Sequence, residues 1–168
     1  MVIGLKMLAD GLGDAFVSAG STGALLTGAT LLVKRVKGIR RAAMGPAMPN
    51  KAGGKTVIVD CGANAECTPE FLLQFGLVGS VYAKKQLGIE NPKVGLLNIG
   101  TEDSKGTALQ KEAYALLKNA GRRGLSTLSA MWKPGTCLWA RWTLWSATAS
   151  TATCFSKPSR ALPCSWAA

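Results

Sequence analysis

Residues 93–106, Lys-Val-Gly-Leu-Leu-Asn-Ile-Gly-Thr-Glu-Asp-Ser-Lys-Gly, pass from an apolar run into a polar turn. Val94, Leu96, Leu97 and Ile99 are apolar and partly β-branched, the pattern of a buried strand. Gly100 and Thr101 end it, and Glu102, Asp103, Ser104 and Lys105 form the turn. From Thr107 to Leu117 the spacing becomes helical, with Leu109, Ala113, Leu116 and Leu117 on one side. Strand, polar turn and helix make half of a βαβ unit. In open α/β sheets the turn at the carboxyl end of a strand is where ligands bind. Asn98 and Lys105 bracket this turn, and a lysine beside a helix N-terminus suits an anion. An ordinary solvated loop has the same composition, so spacing alone leaves both readings open.

The same alternation recurs along the chain. Met1–Leu12 reads as the end of a helix, with Gly11 and Gly13 as stops. A domain rarely opens in mid-helix, so further sequence is expected before it. Asp14–Ser18 reads as a short strand, residues 19–23 as a small-residue turn, and Ala24–Val36 as a helix. That turn suits close approach of backbone N–H groups to a phosphate or carboxylate. It equally suits a tight turn that needs glycine for shape. Lys34, Arg35, Lys37, Arg40 and Arg41 then form a basic cluster, read as a solvated helix end matched to the dipole. Ala42–Met48 is a further strand candidate. Lys55–Asp60 is the clearest strand, passing into Cys61-Gly-Ala-Asn64. Thr68 as N-cap and Pro69 in the first helical position start a helix to about Leu87. Its expected core face is Phe71, Phe75, Val78 and Tyr82. The order predicts an α/β domain with a parallel sheet covered on both faces. Three polar turns, at Ser18–Gly23, Asp60–Asn64 and Asn98–Gly106, would lie along one edge of it.

Composition narrows the chemistry. The 168-residue chain suits one domain. It has no histidine, which excludes histidine general bases and histidine metal ligands. Cys61 and Cys67 lack metal-site spacing, so no metal is expected. A reduced, cytoplasmic setting is the default. No signal peptide is evident, and the most apolar segment, Gly23–Val33, is shorter than the ~20 residues of a spanning helix. The net charge of +11 is unevenly spread. All nine acidic residues precede residue 121; the remainder holds six Lys and Arg, all five Trp and three of the five Cys.

These residues carry a specific resemblance. The segments are Asp14-Ala-Phe-Val-Ser-Ala-Gly-Ser-Thr-Gly-Ala-Leu26, Val33-Lys-Arg-Val-Lys-Gly38, Asp60-Cys-Gly-Ala-Asn64, Gln74-Phe75 with Gly79-Ser-Val-Tyr82, and Gly88 through Gly106. In this order and spacing, residues 1–120 resemble the bacterial phosphate acyltransferases of phospholipid synthesis, the PlsX family. The resemblance implies a three-layer α/β/α sandwich similar to isocitrate and isopropylmalate dehydrogenases. It implies transfer of a fatty acyl group from acyl carrier protein to inorganic phosphate, with no cofactor. It further implies a homodimer peripheral to the inner face of the membrane. Holding phosphate against a thioester carbonyl is a task of positioning and charge stabilisation. By resemblance Lys105 is the catalytic lysine. Ser18, Ser21, Thr22 and Gly23 match the first phosphate loop, and Asn64, Asn98 and Glu102 match the other two. Ser21 stands where many relatives have Asn.

The resemblance stops near residue 120. The family pattern Asn-Phe-Ile-Gly-Asn-Val-Glu-Ala-Arg-Asp is missing, as is the later Asp-Gly-Phe-x-Gly-Asn. Both reappear when 121–168 is read one base out of frame. Joining the last base of each codon to the first two of the next turns Met131–Trp132 into Val and Trp132–Lys133 into Glu. With permitted third bases, Leu128–Gly135 becomes Ile-Gly-Asn-Val-Glu-Ala-Arg. Ala147–Cys154 becomes Asp-Gly-Phe-Asn-Gly-Asn-Val. The slip falls near residues 119–124. Residues 1–120 are therefore expected to be an incomplete acyltransferase domain, and 121–168 an irregular, poorly folded tail. The chain itself is expected to be inactive, having lost an active-site Asn. Two other readings are a non-catalytic α/β fragment that binds phosphate, and a basic Trp-rich tail that binds nucleic acid or membrane. The out-of-frame reading accounts for the tail's composition and makes nucleic acid an unexpected partner.

Overall fold

The computed structural model describes residues 1–50, 53–97, 106–122, 127–132 and 144–146. Its elements are α1 (Val2–Ala9), α2 (Thr22–Gly28) continued by a π-helical turn (Ala29–Val33), β1 (Ala47–Pro49) and β2 (Lys55–Val59). Then come α3 (Pro69–Gln86), β3 (Lys93–Leu97), α4 (Ala108–Arg122), β4 (Thr127–Trp132) and β5 (Leu144–Ser146). The chain is mixed α/β, with a five-stranded sheet in the order β1-β2-β5-β3-β4.

The sheet is mixed rather than all-parallel. β2 with β5, β5 with β3, and β3 with β4 run parallel, but β1 pairs antiparallel with β2. Loop length is the reason. Only residues 50–54 join β1 to β2, and a connection that short makes a hairpin, whereas a parallel crossover needs a dozen or more residues. Asn50 closes the turn: its backbone N–H donates to the Gly54 carbonyl (2.9 Å), and its Oδ1 accepts from the Gly54 N–H (2.9 Å).

β2 and β3 flank the central strand β5, and their apolar runs are buried on both faces. Thr56, Val57, Ile58 and Val59 are buried in β2, as are residues 94–97 in β3. One face of this pair, Val57, Val59, Val94 and Leu96, packs with Leu72 and Phe75 of α3 and Ala113 and Leu117 of α4. Both helices are capped by their own sequence. Thr68 Oγ1 accepts from the Phe71 N–H at 3.4 Å, with Pro69 in the first turn. At α4, Thr107 Oγ1 accepts from the Gln110 N–H (3.4 Å) while Gln110 Oε1 accepts from the Thr107 N–H (2.8 Å), a reciprocal capping box.

α3 buries part of the expected face: Phe75 is in the core and Phe71 packs half-buried against it. Leu72, Phe75, Gly76, Gly79, Ser80 and Ala83 point inward, whereas Val78 and Tyr82 are 43% and 40% exposed. Small residues on the inner stripe let the helix backbone approach α4 and the sheet. A Cβ built on Gly76 would lie 3.0 Å from Leu117 Cδ2 and 3.5 Å from Val94 Cγ1. The buried Ser80 hydroxyl is satisfied by the Gly76 carbonyl at 2.7 Å. Size misplaced Val78 and Tyr82, because close approach buries more than bulky side chains at a distance.

Three other expectations are corrected. Asp14–Ser18 is irregular rather than a strand. Phe16 instead lies against α1, its ring 2.4 Å from where a Gly4 Cβ would stand, and Val17 is 93% exposed. The helix expected to Val36 stops at Val33, with Lys34 at φ 70°. The tail is not wholly irregular, since 127–132 and 144–146 are strands. Ladder formation explains this. β3 offers backbone donors and acceptors on two edges, and 127–132 carries neither proline nor charge and includes Thr127 and Trp132, both strand formers.

α1 packs on the π-helical turn, and Leu5 is the buried residue of that contact; a Cβ on Gly28 would meet Leu5 Cδ1 at 2.7 Å. Among the described residues, no helix is long and apolar enough to cross a membrane.

Gly76→Leu forces a branched side chain into the space held by Leu117 and Val94. Overpacking of this kind costs ~1–3 kcal/mol. Urea unfolding of the variant is expected to show a lower midpoint, while Val78→Ala on the exposed stripe of the same helix is expected to leave it nearly unchanged.

Candidate functional site

The sheet register puts two of the three polar loops on one edge. Ser146 of β5 lies opposite Val59 of β2 on one side and Leu96 of β3 on the other. The strands run parallel, so the loops that begin at residues 60 and 98 leave the same carboxyl edge. Asn98, Glu102 and Lys105 fall outside the described residues. Gly106, where description resumes, has φ 110°, which favours glycine.

The loop after β2 is built on a buried carboxylate. Asp60 is fully buried. Its Oδ1 accepts from the Met44 N–H (2.9 Å), and its Oδ2 accepts from the Asn64 N–H (2.7 Å) and Asn64 Nδ2 (2.9 Å). Burial of such a group is tolerated because it is hydrogen-bonded. Asn64 is also fully buried, and its side chain is committed throughout. Nδ2 donates to Asp60 and to the Ala42 carbonyl (2.9 Å), and Oδ1 accepts from Arg41 Nε (2.6 Å). Asn64, expected from the sequence as a phosphate-binding residue, has its side-chain amide engaged in these bonds. It positions the loop, because the carboxylate beneath it needs its donors. The Cys61 N–H completes the junction by donating to the Met44 carbonyl at 3.1 Å.

The first predicted loop is open. Ser18 Oγ accepts from the Gly20 N–H at 3.1 Å. Ser21 is the N-cap of α2 but makes no side-chain capping bond, and Ser21, Thr22 and Gly23 are exposed. A Cβ on Gly23 would meet only Ser21 Oγ, at 4.0 Å. Glycine there is not demanded by crowding within the described chain. No hydrogen bond joins this loop to Asp60–Asn64 among the described residues.

The basic cluster is exposed, as expected of solvated cations. It lies beyond the helix, and its arginines fasten loops. Arg41 holds Asn64; Arg40 pairs with Glu70 at 2.5 Å, and its N–H donates to Gln74 Oε1 at 2.9 Å. Arg35 donates to the Arg40 carbonyl. The Arg40–Glu70 pair is 67% and 59% exposed, so it adds little stability. Arg35 and Arg41 also line one cavity of about 220 Å³, together with Leu26, Thr27, Thr30, Leu31 and Ala42. Nothing in the sequence brings residues 26–31 against 41–42, which is why this feature was missed.

Two thiols flank the loop. Burial and the Asp60 charge both push the Cys61 thiol above its ordinary range. Cys67 is raised by the same two causes, with Arg41 opposing. Neither is primed as a thiolate nucleophile. Among the described residues no acidic or cysteine cluster could hold a metal.

Residues 1–126 match the model of a family described as fatty acid synthesis protein. The chain belongs to that family. A phosphate acyltransferase of Alkaliphilus oremlandii is 55% identical over 118 residues, which cover 70% of this chain and 35% of that protein. One of Acetivibrio thermocellus is 52% identical over 120 residues, 71% of this chain and 35% of its own length. The chain thus spans about a third of the length of these relatives. In structure it is similar to a phosphotransacetylase from Streptococcus pyogenes (TM-score 0.70, 21% identity) and to the EutD phosphotransacetylase from Staphylococcus aureus (TM-score 0.68, 19% identity). Each likeness covers 92% of this chain and 53% of the other. At these identities they show the fold.

Asn64→Ala removes two donors from buried groups, and loss of buried hydrogen-bond partners costs ~1–3 kcal/mol each. Asn64→Asp places a second carboxylate against Asp60 and is expected to destabilise more than alanine. The order wild type, Ala, Asp in denaturation midpoint checks the network.

Proposed function

We propose that this chain derives from an acyltransferase that moves a fatty acyl group from acyl carrier protein to inorganic phosphate. The observation that carries the reading is the family match over residues 1–126, with relatives named phosphate acyltransferase at 55% and 52% identity. The phosphotransacetylase-like fold and the shared carboxyl edge of the loops after β2 and β3 support it.

On this reading phosphate sits over the carboxyl edge and attacks the thioester carbonyl directly. The thiolate leaves on the carrier, and the acyl phosphate departs. Lys105 serves as the catalytic lysine, neutralising phosphate or the developing oxyanion, and Asn64, Asn98 and Glu102 contribute to phosphate binding. Ser18, Ser21, Thr22 and Gly23 supply the open loop of the first α2 turn. The raised thiols of Cys61 and Cys67 favour direct attack over an acyl-cysteine route. The complete architecture is a dehydrogenase-like three-layer sandwich, assembled as a homodimer and working in the cytoplasm at the membrane's inner face.

Residues 121–168 are out of frame on this reading. Relatives match 118 and 120 residues, and the family model ends at residue 126, near the inferred slip. The 168-residue chain then lacks the Asp-Gly-Phe-x-Gly-Asn loop and turns over little.

Three measurements test this. Sequencing the source DNA across codons 115–130 is expected to find one base missing or extra. Purified 1–168, given acyl carrier thioester and phosphate, is expected to yield no hydroxylamine-trapped acyl phosphate; formation at an intact relative's rate overturns the inactivity. In the gene with its frame restored, Lys105→Ala is expected to lower kcat by about 10²–10³-fold, the usual effect of losing one oxyanion-stabilising group.

A further inference from the structure

The cavity between α2 with its π-helical turn and the Arg41–Ala42 segment is not explained by the carboxyl-edge site. Its wall is unusual in charge. Arg35 and Arg41 both line it, and among the described residues neither is paired with an acid. Each guanidinium is tethered by one bond, Arg35 to the Arg40 carbonyl and Arg41 through Nε to Asn64. A guanidinium has five N–H donors, so each retains donors beyond its tether. Both arginines are exposed, so an anion in the cavity can reach the two from solvent and is attracted by both.

The other wall residues define the anion's shape. Leu26, Leu31 and Ala42 are apolar. Thr30 commits its hydroxyl proton to the Leu26 carbonyl at 2.7 Å, whereas among the described residues Thr27 makes no such bond and can donate. The volume of about 220 Å³ lies below the ~300–1,000 Å³ of sites for drug-sized ligands. A π-helical turn forms one wall, a local geometry frequent at functional sites. A phosphate monoester carries close to two negative charges at neutral pH, matching two arginines, and its three terminal oxygens match their forked donors.

We propose that this cavity is a binding site for a small organic phosphate, its phosphate held by Arg35 and Arg41 and its carbon arm lying on Leu26 and Leu31. The site does not rest on the acyl-transfer reading.

The test is calorimetric titration of the 168-residue protein with n-butyl phosphate and, separately, inorganic phosphate, at low ionic strength. Butyl phosphate is expected to bind more tightly than inorganic phosphate. Arg35→Gln is expected to weaken it about tenfold, the scale of one charged hydrogen bond. Arg41→Gln touches the Asn64 network, so Leu31→Glu serves beside it. Leu31 is 70% exposed, and a carboxylate there repels the ligand without disturbing the core. Lys105→Ala is expected to leave butyl phosphate binding unchanged. Unaltered affinity in both Arg35→Gln and Leu31→Glu, with helical circular dichroism retained, overturns the site. Loss of butyl phosphate binding in Lys105→Ala also overturns it and moves the ligand to the carboxyl edge. Equal affinity for the two phosphates overturns the apolar arm.

Discussion

A carboxylate at zero exposure, such as Asp60 at the end of β2, survives only if the surrounding chain supplies donors. Here three come from two places: Met44 from the segment before the hairpin, and Asn64 twice from the loop itself. Arg41 then reaches Asn64 from outside. The consequence is geometric. The segment 41–44, the end of β2 and the loop to Asn64 are fixed to one another, and the loop's exposed surface keeps its shape. The cavity wall at Arg41–Ala42 is held by the same bonds, since Ala42 accepts from Asn64. Arg41 belongs to both network and wall, fastening Asn64 through Nε while lining the cavity.

The sequence made the elements legible wherever local signals were strong. β2, β3 and α3 stand close to their expected ranges because apolar runs, a Thr-Pro start and Gly88 are local cues. The helix at residue 108 likewise announced itself through spacing. What failed depended on contacts distant in sequence. The inner stripe of α3 is chosen by Leu117 and Val94, which a helical wheel does not contain. The Asp14–Ser18 segment carries a short apolar run like a strand, but Phe16 lies instead against Gly4 of α1. The direction of β1 was readable in principle, because a five-residue connection permits only a hairpin.

The site was legible as loops and poorly legible as side chains. Asn64 stands in a polar turn after a strand, the place where ligand contacts are sought, and nothing in its neighbourhood says that its amide points inward. Arg35 and Arg41 look like solvated cations because a single sequence does not show Asn64 and the Arg40 carbonyl waiting for them. In each case a polar residue assigned to solvent or ligand also has a partner elsewhere in the chain, buried for Arg41 and exposed for Arg35. Buried polar groups are hydrogen-bonded almost without exception, so a lone polar residue beside a buried strand end is as good a candidate for a fastening as for a contact.

The tail separates what a sheet reads from what a site reads. A ladder is made of backbone N–H and C=O groups, and it accepts any extended segment free of proline and of badly placed charge. Residues 127–132 meet that condition, and 144–146 meet it between β2 and β3. Chemistry at the carboxyl edge has no such tolerance, because it depends on which side chain follows each strand. A shift of reading frame can therefore leave strands where they pair while replacing the side chains that follow them. The architecture reaches 92% of the chain in its likeness to phosphotransacetylases, while the family match ends at residue 126. Backbone pairing carries a fold past the point where side-chain identity has ended, so likeness of fold beyond residue 126 says nothing about retained chemistry there.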